Sequence, residues 1–510
     1  MSDANQALRD LLKGAGIIYI GLFVELLIAF VAQVIAARYL SVSDFGSITT
    51  GTALLDIGSI IGGLGLAAGL TRYLPRVNTE QKRSLATIAV IVTAIISFSL
   101  GALVTFNSSF IAREVFGDAS IRSSIRIFGA AIPFAALLNV AVGGIRGQKE
   151  SLYRVYIKNL LHPIVRFALV IGVVTYGLGQ AELASAYAVP YIVSAALALA
   201  LLYRSLPVAA FSFNPDLTRE FAEYSLPFTI TRMSSFVYRS ADIFLITYFL
   251  GSFSVGIYGV AYAATSFMGM LSTAFNFLGS PIASELEHGG NIDDVIKVFE
   301  SIARWLVVGS VCILIPLGVF STEFITIVYQ SKYSDGGIIL TILAVGFAVK
   351  NVLGIHGPIL EALGHSRVLS INSILAAGTN LILNVVLIPK YGISGAAIAT
   401  VLSFALRDVL ATFEVRYFLG VTPLSWQTFR PGLIAIPFLG IVAVFIARSI
   451  PGTFLWILGS SGVLSVLYIG IVLLIFGLTS TEVMVLRSIE EKYGISLERV
   501  EPIINYLEKQ

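Results

Sequence analysis

The sequence predicts an all-α polytopic membrane protein, with about 14 transmembrane helices of bilayer-spanning length. Three observations lead there. Charged residues are only 12% of the 510 and hydrophobic ones 56%, with a mean hydropathy of +0.88. Soluble domains carry about 25% charged residues, so this chain cannot clothe a water-soluble surface of its size. Apolar runs of about 20 residues recur from end to end, the length a helix needs to cross hydrocarbon. In lipid the backbone must satisfy its own hydrogen bonds, which leaves helices or closed barrels. Runs this long and continuously apolar are not barrel strands.

The expected spans lie at 14–37, 46–70, 84–106, 125–145, 155–176, 183–203, 224–250, 253–278, 301–320, 336–357, 368–388, 393–417, 431–449 and 453–477. The longest loops, near 107–124, 204–223 and 279–300, leave no room for an extramembrane domain. Met1 to Lys13 is polar and leads into an apolar run that no small-residue cleavage site closes, so the run is read as a retained span. Loop Lys and Arg set the orientation. With the N-terminus cytoplasmic, the outer segments hold only Arg38, Arg113, Arg122, Lys332, Lys390 and Arg448, against 20 basic residues in the inner segments. Arg72, Arg146, Lys149 and Arg154 are among those 20. The bias also favours an even number of crossings. Residues 479–510 read as two short amphipathic helices lying on the inner interface. The single cysteine, Cys312, permits no intramolecular disulfide and no cysteine metal site. A net charge of +3 spread along the chain gives no reason to expect nucleic-acid binding.

Internal repeats are a recurrent construction in transporters. Leu40 and Gly46 after span 1 match Leu250 and Gly256 after span 7, at an offset of 210. Tyr176-Gly177-Leu178 matches Tyr391-Gly392-Ile393 at 215, and Gly147 matches Gly364 at 217. Three matches in one order at nearly constant offset predict two six-helix lobes. Six is even, so both lobes run the same way, related by a pseudo-two-fold axis along the membrane normal. The expected domains are an N-terminal lobe, 1–210, a C-terminal lobe, 211–420, helices 13 and 14 at 421–478, and the cytoplasmic tail 479–510.

An ionised side chain at mid-bilayer costs about 2.5–3.5 kcal/mol on insertion scales, so such residues face a bundle interior or a wet cavity. Here they are Glu25, Asp56, Lys158, Arg166, Arg232, Arg239, Asp242, Lys350, Arg407 and Asp408. Arg232 and Arg239 are about two helical turns apart and share a face. Asp242 is three residues beyond Arg239, within reach of an ion pair. Lys158, His162 and Arg166 form a stripe at steps of four, which Pro163 can loosen. Structural readings compete. Lys158 can snorkel to the inner interface, and Arg239 with Asp242 can be a purely structural pair. Arg407 and Asp408 point in different directions on their helix. Asn372, Asn380 and Asn384 are of the type that glues helices, and His162 and His356 read as hydrogen-bonded interior residues. Glu25, Arg232 and Lys350 have no partner nearby in sequence. Arg166, Arg232, Arg239 and Lys350 outnumber Glu25, Asp56 and Asp242. That excess suits an anionic cargo, and the guanidinium fork binds phosphate bidentately, so a phosphate-bearing amphiphile or another anion is expected.

Several stretches carry a family resemblance: Ala37-Arg38-Tyr39-Leu40-Ser41-Val42-Ser43-Asp44-Phe45-Gly46, then Gly63-Leu64-Gly65-Leu66-Ala67-Ala68-Gly69-Leu70-Thr71-Arg72-Tyr73-Leu74-Pro75, the Gly147 and Gly364 loops, and Tyr391-Gly392-Ile393-Ser394-Gly395-Ala396-Ala397. Together they resemble the multidrug/oligosaccharidyl-lipid/polysaccharide exporter superfamily, specifically its polysaccharide or oligosaccharide flippase branch. The resemblance covers about the whole chain and rests on short motifs. It implies two lobes around a central cavity lined by spans 1, 2, 7 and 8, alternating between inward- and outward-open states. It implies a transporter, not an enzyme. The expected activity is flipping a polyprenyl-(di)phosphate-linked oligosaccharide from the inner to the outer leaflet of a prokaryotic plasma membrane, for surface polysaccharide or protein glycosylation. Arg166, Arg232, Arg239, Lys350 and Asp242 would hold the cargo, and Glu25 or Asp56 would couple to a proton or sodium ion. No cofactor or metal is expected. The expected partners are the lipid-linked oligosaccharide, the bilayer and the pathway's glycosyltransferases or polymerase, with the protein itself a monomer. Two other readings stand beside this one. A cation-coupled drug exporter often has an aspartate in span 1, from which Glu25 departs. A non-transporting component of a glycan-assembly complex is the reading from another class.

Overall fold

The computed structural model describes residues 3–148, 150–273, 292–420, 426–449 and 453–478, with Leu424 and Val483. Among the described residues there is no strand; helices are joined by short turns. Each expected span falls on helix, the end of 253–278 and, Val483 apart, the tail 479–510 lying outside the described residues. Large apolar side chains line the outside: Phe445 is 76% exposed, Leu455 80% and Val466 70%. Whole helices with such faces belong in lipid. Among the described residues twelve helices are long and apolar enough to cross a membrane, or thirteen when the bent pair Val42–Gly63 and Leu66–Tyr73 is one span. One of the twelve, Pro215–Thr273, has 59 residues, about 88 Å at the helical rise. That is nearly three times the hydrocarbon thickness, and the stretch is broken at Gly251 (φ 79°, ψ 177°).

The chain divides into two compact units, 1–260 with 377–399, and 261–376 with 400–510. The boundary differs from the lobe division expected at 210, because 211–260 packs with the first unit.

In the first unit the Arg122–Gly147 helix is the most enclosed, its buried face running from Ser124 to Gly147. Leu70, Leu74, Ile145 and Leu202, all fully buried, form part of its core. The second span bends by 50° because Leu64 and Gly65 both take left-handed backbone (φ 43° and 67°). At Gly65 a side chain is excluded twice over: the φ disfavours it, and a Cβ would collide with the Ser225 carbonyl oxygen. After the bend, Leu66–Tyr73 lies between two helices. Thr71 Oγ1 donates to the Gly143 carbonyl at 3.0 Å, and Tyr73 meets Phe221 and Tyr224 edge-on.

At the other end of this unit two helices touch backbone to backbone. A Cβ on Gly46 would collide with the Ser252 carbonyl, and one on Gly256 with the Val42 carbonyl. These contacts are reciprocal at the offset of 210 read from the sequence, since Val42 corresponds to Ser252 and Gly46 to Gly256. Thr49 and Gly259, another corresponding pair, face each other at 3.4 Å. The nearby break at Gly251 is clasped by Asp118, which accepts from Ser252 N at 2.9 Å and from Ser120 N and Oγ at 3.0 and 2.6 Å.

The second unit has two apolar clusters, one around Tyr468, Leu464 and Phe320, the other around Ala303, Leu360 and Val415. Its asparagines tie helices: Asn351 Nδ2 donates to the Met268 carbonyl at 3.0 Å and Asn372 Nδ2 to Glu414 Oε2 at 2.6 Å. Arg407 and Asp408 do not diverge as expected. The arginine folds back, and its Nε and Nη2 reach Asp408 Oδ1 at 2.8 and 2.6 Å.

Two outcomes follow. Gly46→Ala and Gly256→Ala should each cost about 1–3 kcal/mol through overpacking. Gly172→Ala, with nothing near its Cβ, should cost nothing in thermal unfolding; equal melting temperatures for all three would mean that the backbones do not touch. The Asp118 carboxyl should also give an acid-dependent term. Burial pushes it up, but the hydrogen bonds from Ser120 and Ser252 outweigh this and hold it below its ordinary value. A depressed native pKa contributes stability that is present above the unfolded value, about 3.9, and lost as pH falls through the native one. Asp118→Asn should therefore flatten the stability profile only below about pH 4.

Candidate functional site

The bend in the second span brings Leu66–Tyr73 to the mouth of a cavity of about 370 Å³ within the first unit. Five elements line it. Leu66–Tyr73 supplies Ala67, Ala68, Thr71 and Arg72; the Arg122–Gly147 helix supplies Asn139, Val142, Gly143 and Arg146. Arg154 closes the short helix Ser151–Arg154, and Lys158 follows on the π-helix Val155–Leu161, a geometry that recurs at functional sites. Tyr224, Phe228 and Arg232 come from the Pro215–Ala264 helix, one face at steps of four. The lining thus holds five cations and no carboxylate. Among the described residues no ion pair is made by any of the five.

Four of them act on one another. Arg146 lies within electrostatic range of Arg154 and of Arg232, and both of these lie within range of Lys158. Small side chains at Ala67, Ala68 and Gly143 let the helices approach closely and leave the space the charges face. Behind the cluster stand two acids. Glu25 accepts from Asn159 Nδ2 at 2.6 Å and lies within range of Lys158, Arg166 and Arg154. Asp56 lies within range of Lys158 and Arg239. Lys158 is the node that joins cations and acids. Among the described residues no group of three or more His, Cys, Asp or Glu side chains gathers to hold a metal ion.

Of the residues expected to hold cargo, Arg232 lines the cavity and the others do not. Arg239 donates from Nε to the Ser235 carbonyl at 3.1 Å and bears on Asp56 instead. Arg166 lies 5.3 Å from the Tyr187 ring centre, with a buried Nε that no hydrogen bond satisfies. Asp242 is buried and accepts from Tyr258 Oη and the Ile243 backbone N, so it clasps the chain reversal across Gly251. Lys350 belongs to the second unit, where its ammonium lies 4.2 Å from the Phe404 ring and 4.8 Å from Phe347. This cavity, inside the first unit, is lined by spans 2, 4, 5 and 7. The residues missed as site candidates are Arg72, Arg146 and Arg154. All three stand at or near the inner ends of expected spans, where sequence alone does not separate a cavity from the interface.

A family model described as "Polysaccharide biosynthesis protein" matches residues 11–286, more than half the chain and every residue lining the cavity. The chain belongs to the polysaccharide biosynthesis protein family. A Haloferax volcanii relative, "Probable low-salt glycan biosynthesis flippase Agl15", is 26% identical over 403 residues, 77% of this chain and 81% of that one. Another from the same organism, "Probable flippase AglR", is 28% identical over 385 residues, 73% and 76% of the two chains. The solved structure of the lipid II flippase MurJ in an inward closed conformation superposes with a TM-score of 0.73 at 14% identity, over 89% of this chain and 98% of that one. That likeness shows a shared fold.

In this polysaccharide biosynthesis protein the cavity cations repel one another without an anion. Arg146→Gln should therefore raise the melting temperature of anion-free protein, by the equivalent of a few tenths of a kcal/mol. Pyrophosphate should stabilise the parent more than the variant, and salt should shrink both effects. A lower melting temperature for Arg146→Gln in scanning fluorimetry would mean that the arginine is satisfied where it stands.

Proposed function

We propose that the protein flips a polyprenyl-(di)phosphate-linked oligosaccharide from the inner to the outer leaflet of the cell membrane, and that the five-cation cavity holds the phosphate. The cavity carries the reading: five cations gathered beside lipid with no carboxylate in the lining are costly, and an arriving phosphate relieves the cost. The flippase names of the two Haloferax relatives support the same cargo class. On the orientation the loop charges predict, Arg72, Arg146 and Arg154 lie at the cytoplasmic end, where such a cargo is made and loaded. Both termini are then cytoplasmic, with fourteen crossings in two parallel lobes and two added helices. The glycan rides in the polar interior while the lipid tail stays in the bilayer. Coupling falls to Glu25 or Asp56: loading either with a proton or sodium ion changes its hold on Lys158 and so the cluster's hold on phosphate. A monomer working beside glycosyltransferases or a polymerase completes the picture.

A drug exporter for cationic compounds fits poorly, because this lining repels cations. A non-transporting scaffold gives no use to charges that face a cavity.

Alanine replacement of Arg232, Arg146 and Lys158 should each reduce glycan export at least tenfold and leave lipid-linked sugar on the cytoplasmic leaflet, read by leaflet-specific labelling of a strain carrying the variant. Arg239→Ala and Lys350→Ala, outside the cavity, should reduce export less. Normal export in all three cavity variants would overturn the phosphate-holding role.

A further inference from the structure

We propose that the cavity is divided into a phosphate subsite and a sugar subsite, and that Arg72, beside Tyr224 and Phe228, reads an anionic substituent on the sugar nearest the phosphate. This rests on the phosphate-holding reading above and adds to it the chemistry of the first sugar.

Two observations separate Arg72 from the other cations. Arg146, Arg154, Lys158 and Arg232 form one electrostatic group, whereas the groups acting on Arg72 are Tyr224, Tyr73 and Glu220. Its guanidinium also lies 4.2 Å from the centre of the Tyr224 ring and 6.0 Å from that of Tyr73, so cation–π contact holds it. Tyr73 Oη donates to Glu220 Oε1 at 2.9 Å, fixing that acid on Tyr73. Glu220 is not part of the lining. The fork of Arg72 is therefore set in place before cargo arrives, which lowers the cost of binding.

The surroundings suit a sugar. The Tyr224 and Phe228 rings lie 5.1 Å apart on one helix face, both in the lining beside Arg72. The C–H face of a pyranose packs on such rings, and a carboxylate or sulfate projecting from it meets a guanidinium bidentately. A cavity of about 370 Å³ is at the small end of ligand pockets. It has room for the phosphate head and about one hexose, so it reads the first sugar and leaves the rest of the glycan outside.

The test uses soluble heads on the full chain in lipid nanodiscs, by calorimetry. The probes are inorganic phosphate, pyrophosphate, glucose 1-phosphate and glucuronic acid 1-phosphate. Glucuronic acid 1-phosphate should bind about tenfold tighter than glucose 1-phosphate. Arg72→Gln should remove that preference, Arg72→Lys should keep part of it, and Arg232→Gln should weaken both sugar phosphates alike. Because the readout is a ratio of two ligands on one preparation, a partly unfolded variant does not distort it. Equal affinity for the two sugar phosphates in the parent, or a preference that survives Arg72→Gln, overturns the sugar subsite while phosphate binding stands. Failure of all four probes to bind overturns the phosphate reading and this inference with it.

Discussion

Unbalanced positive charge is the constraint on which the first unit depends. Four cations linked in a ring of neighbouring charges, with no carboxylate in the lining, cannot be held together by their own attraction. Backbone packing must hold them. The bend at Leu64 and Gly65 turns Leu66–Tyr73 into the crevice, the approach of Gly65 to Ser225 fixes its angle, and the Thr71 hydroxyl anchors it to the Arg122–Gly147 helix. The apolar core around Leu70, Leu74 and Ile145 is then the counterweight to the repulsion. Small residues do two jobs here. They allow the close approach that rigidifies the site, and they leave the volume into which the charges point.

What the sequence reveals about such a site depends on how each signal is encoded. Spans are legible because hydropathy is summed over some twenty residues, so single errors average out. Arg232 is legible because a charge inside an apolar run stands alone. Arg72, Arg146 and Arg154 are not, since an arginine at a span's inner end carries the same letter whether it meets water, lipid headgroups or a cavity. Lys158 has both readings, interfacial snorkel and site residue, and only its neighbours Arg154, Arg232, Glu25 and Asp56 decide between them. Asp242 shows the limit of local spacing. Arg239 lies three residues away, yet Tyr258, brought back by the break at Gly251, takes the carboxylate. Arg407 and Asp408 show the converse: adjacent Cβ atoms diverge, but a long side chain folds back far enough to pair.

The internal repeat becomes informative through contact. Each sequence match involves one or two residues, and glycines recur often in a chain with 46 of them. In a two-fold arrangement, however, if one residue touches a second, their counterparts must touch in reverse. Gly46 against Ser252 and Gly256 against Val42 satisfy that rule at the offset of 210, and Thr49 faces its own counterpart Gly259. Coincidental glycine matches have no reason to meet this way.

A site that only attracts anions would trap its cargo, so release needs something that competes with phosphate for the cations. On the proposed function this falls to Glu25 and Asp56. Both act on Lys158, the residue linked to Arg154 and Arg232 on one side and to these acids on the other. When an acid is ionised it satisfies part of the charge on Lys158 and weakens the case for phosphate; when a proton or sodium ion neutralises it, the cluster is more positive and holds phosphate harder. On the proposed function, alternation between these two states, and not any change in the cations themselves, sets whether the cavity loads or unloads. The asparagine on Glu25 then has a physical purpose. As a neutral donor to Oε2 it holds the carboxyl in position beside the cluster.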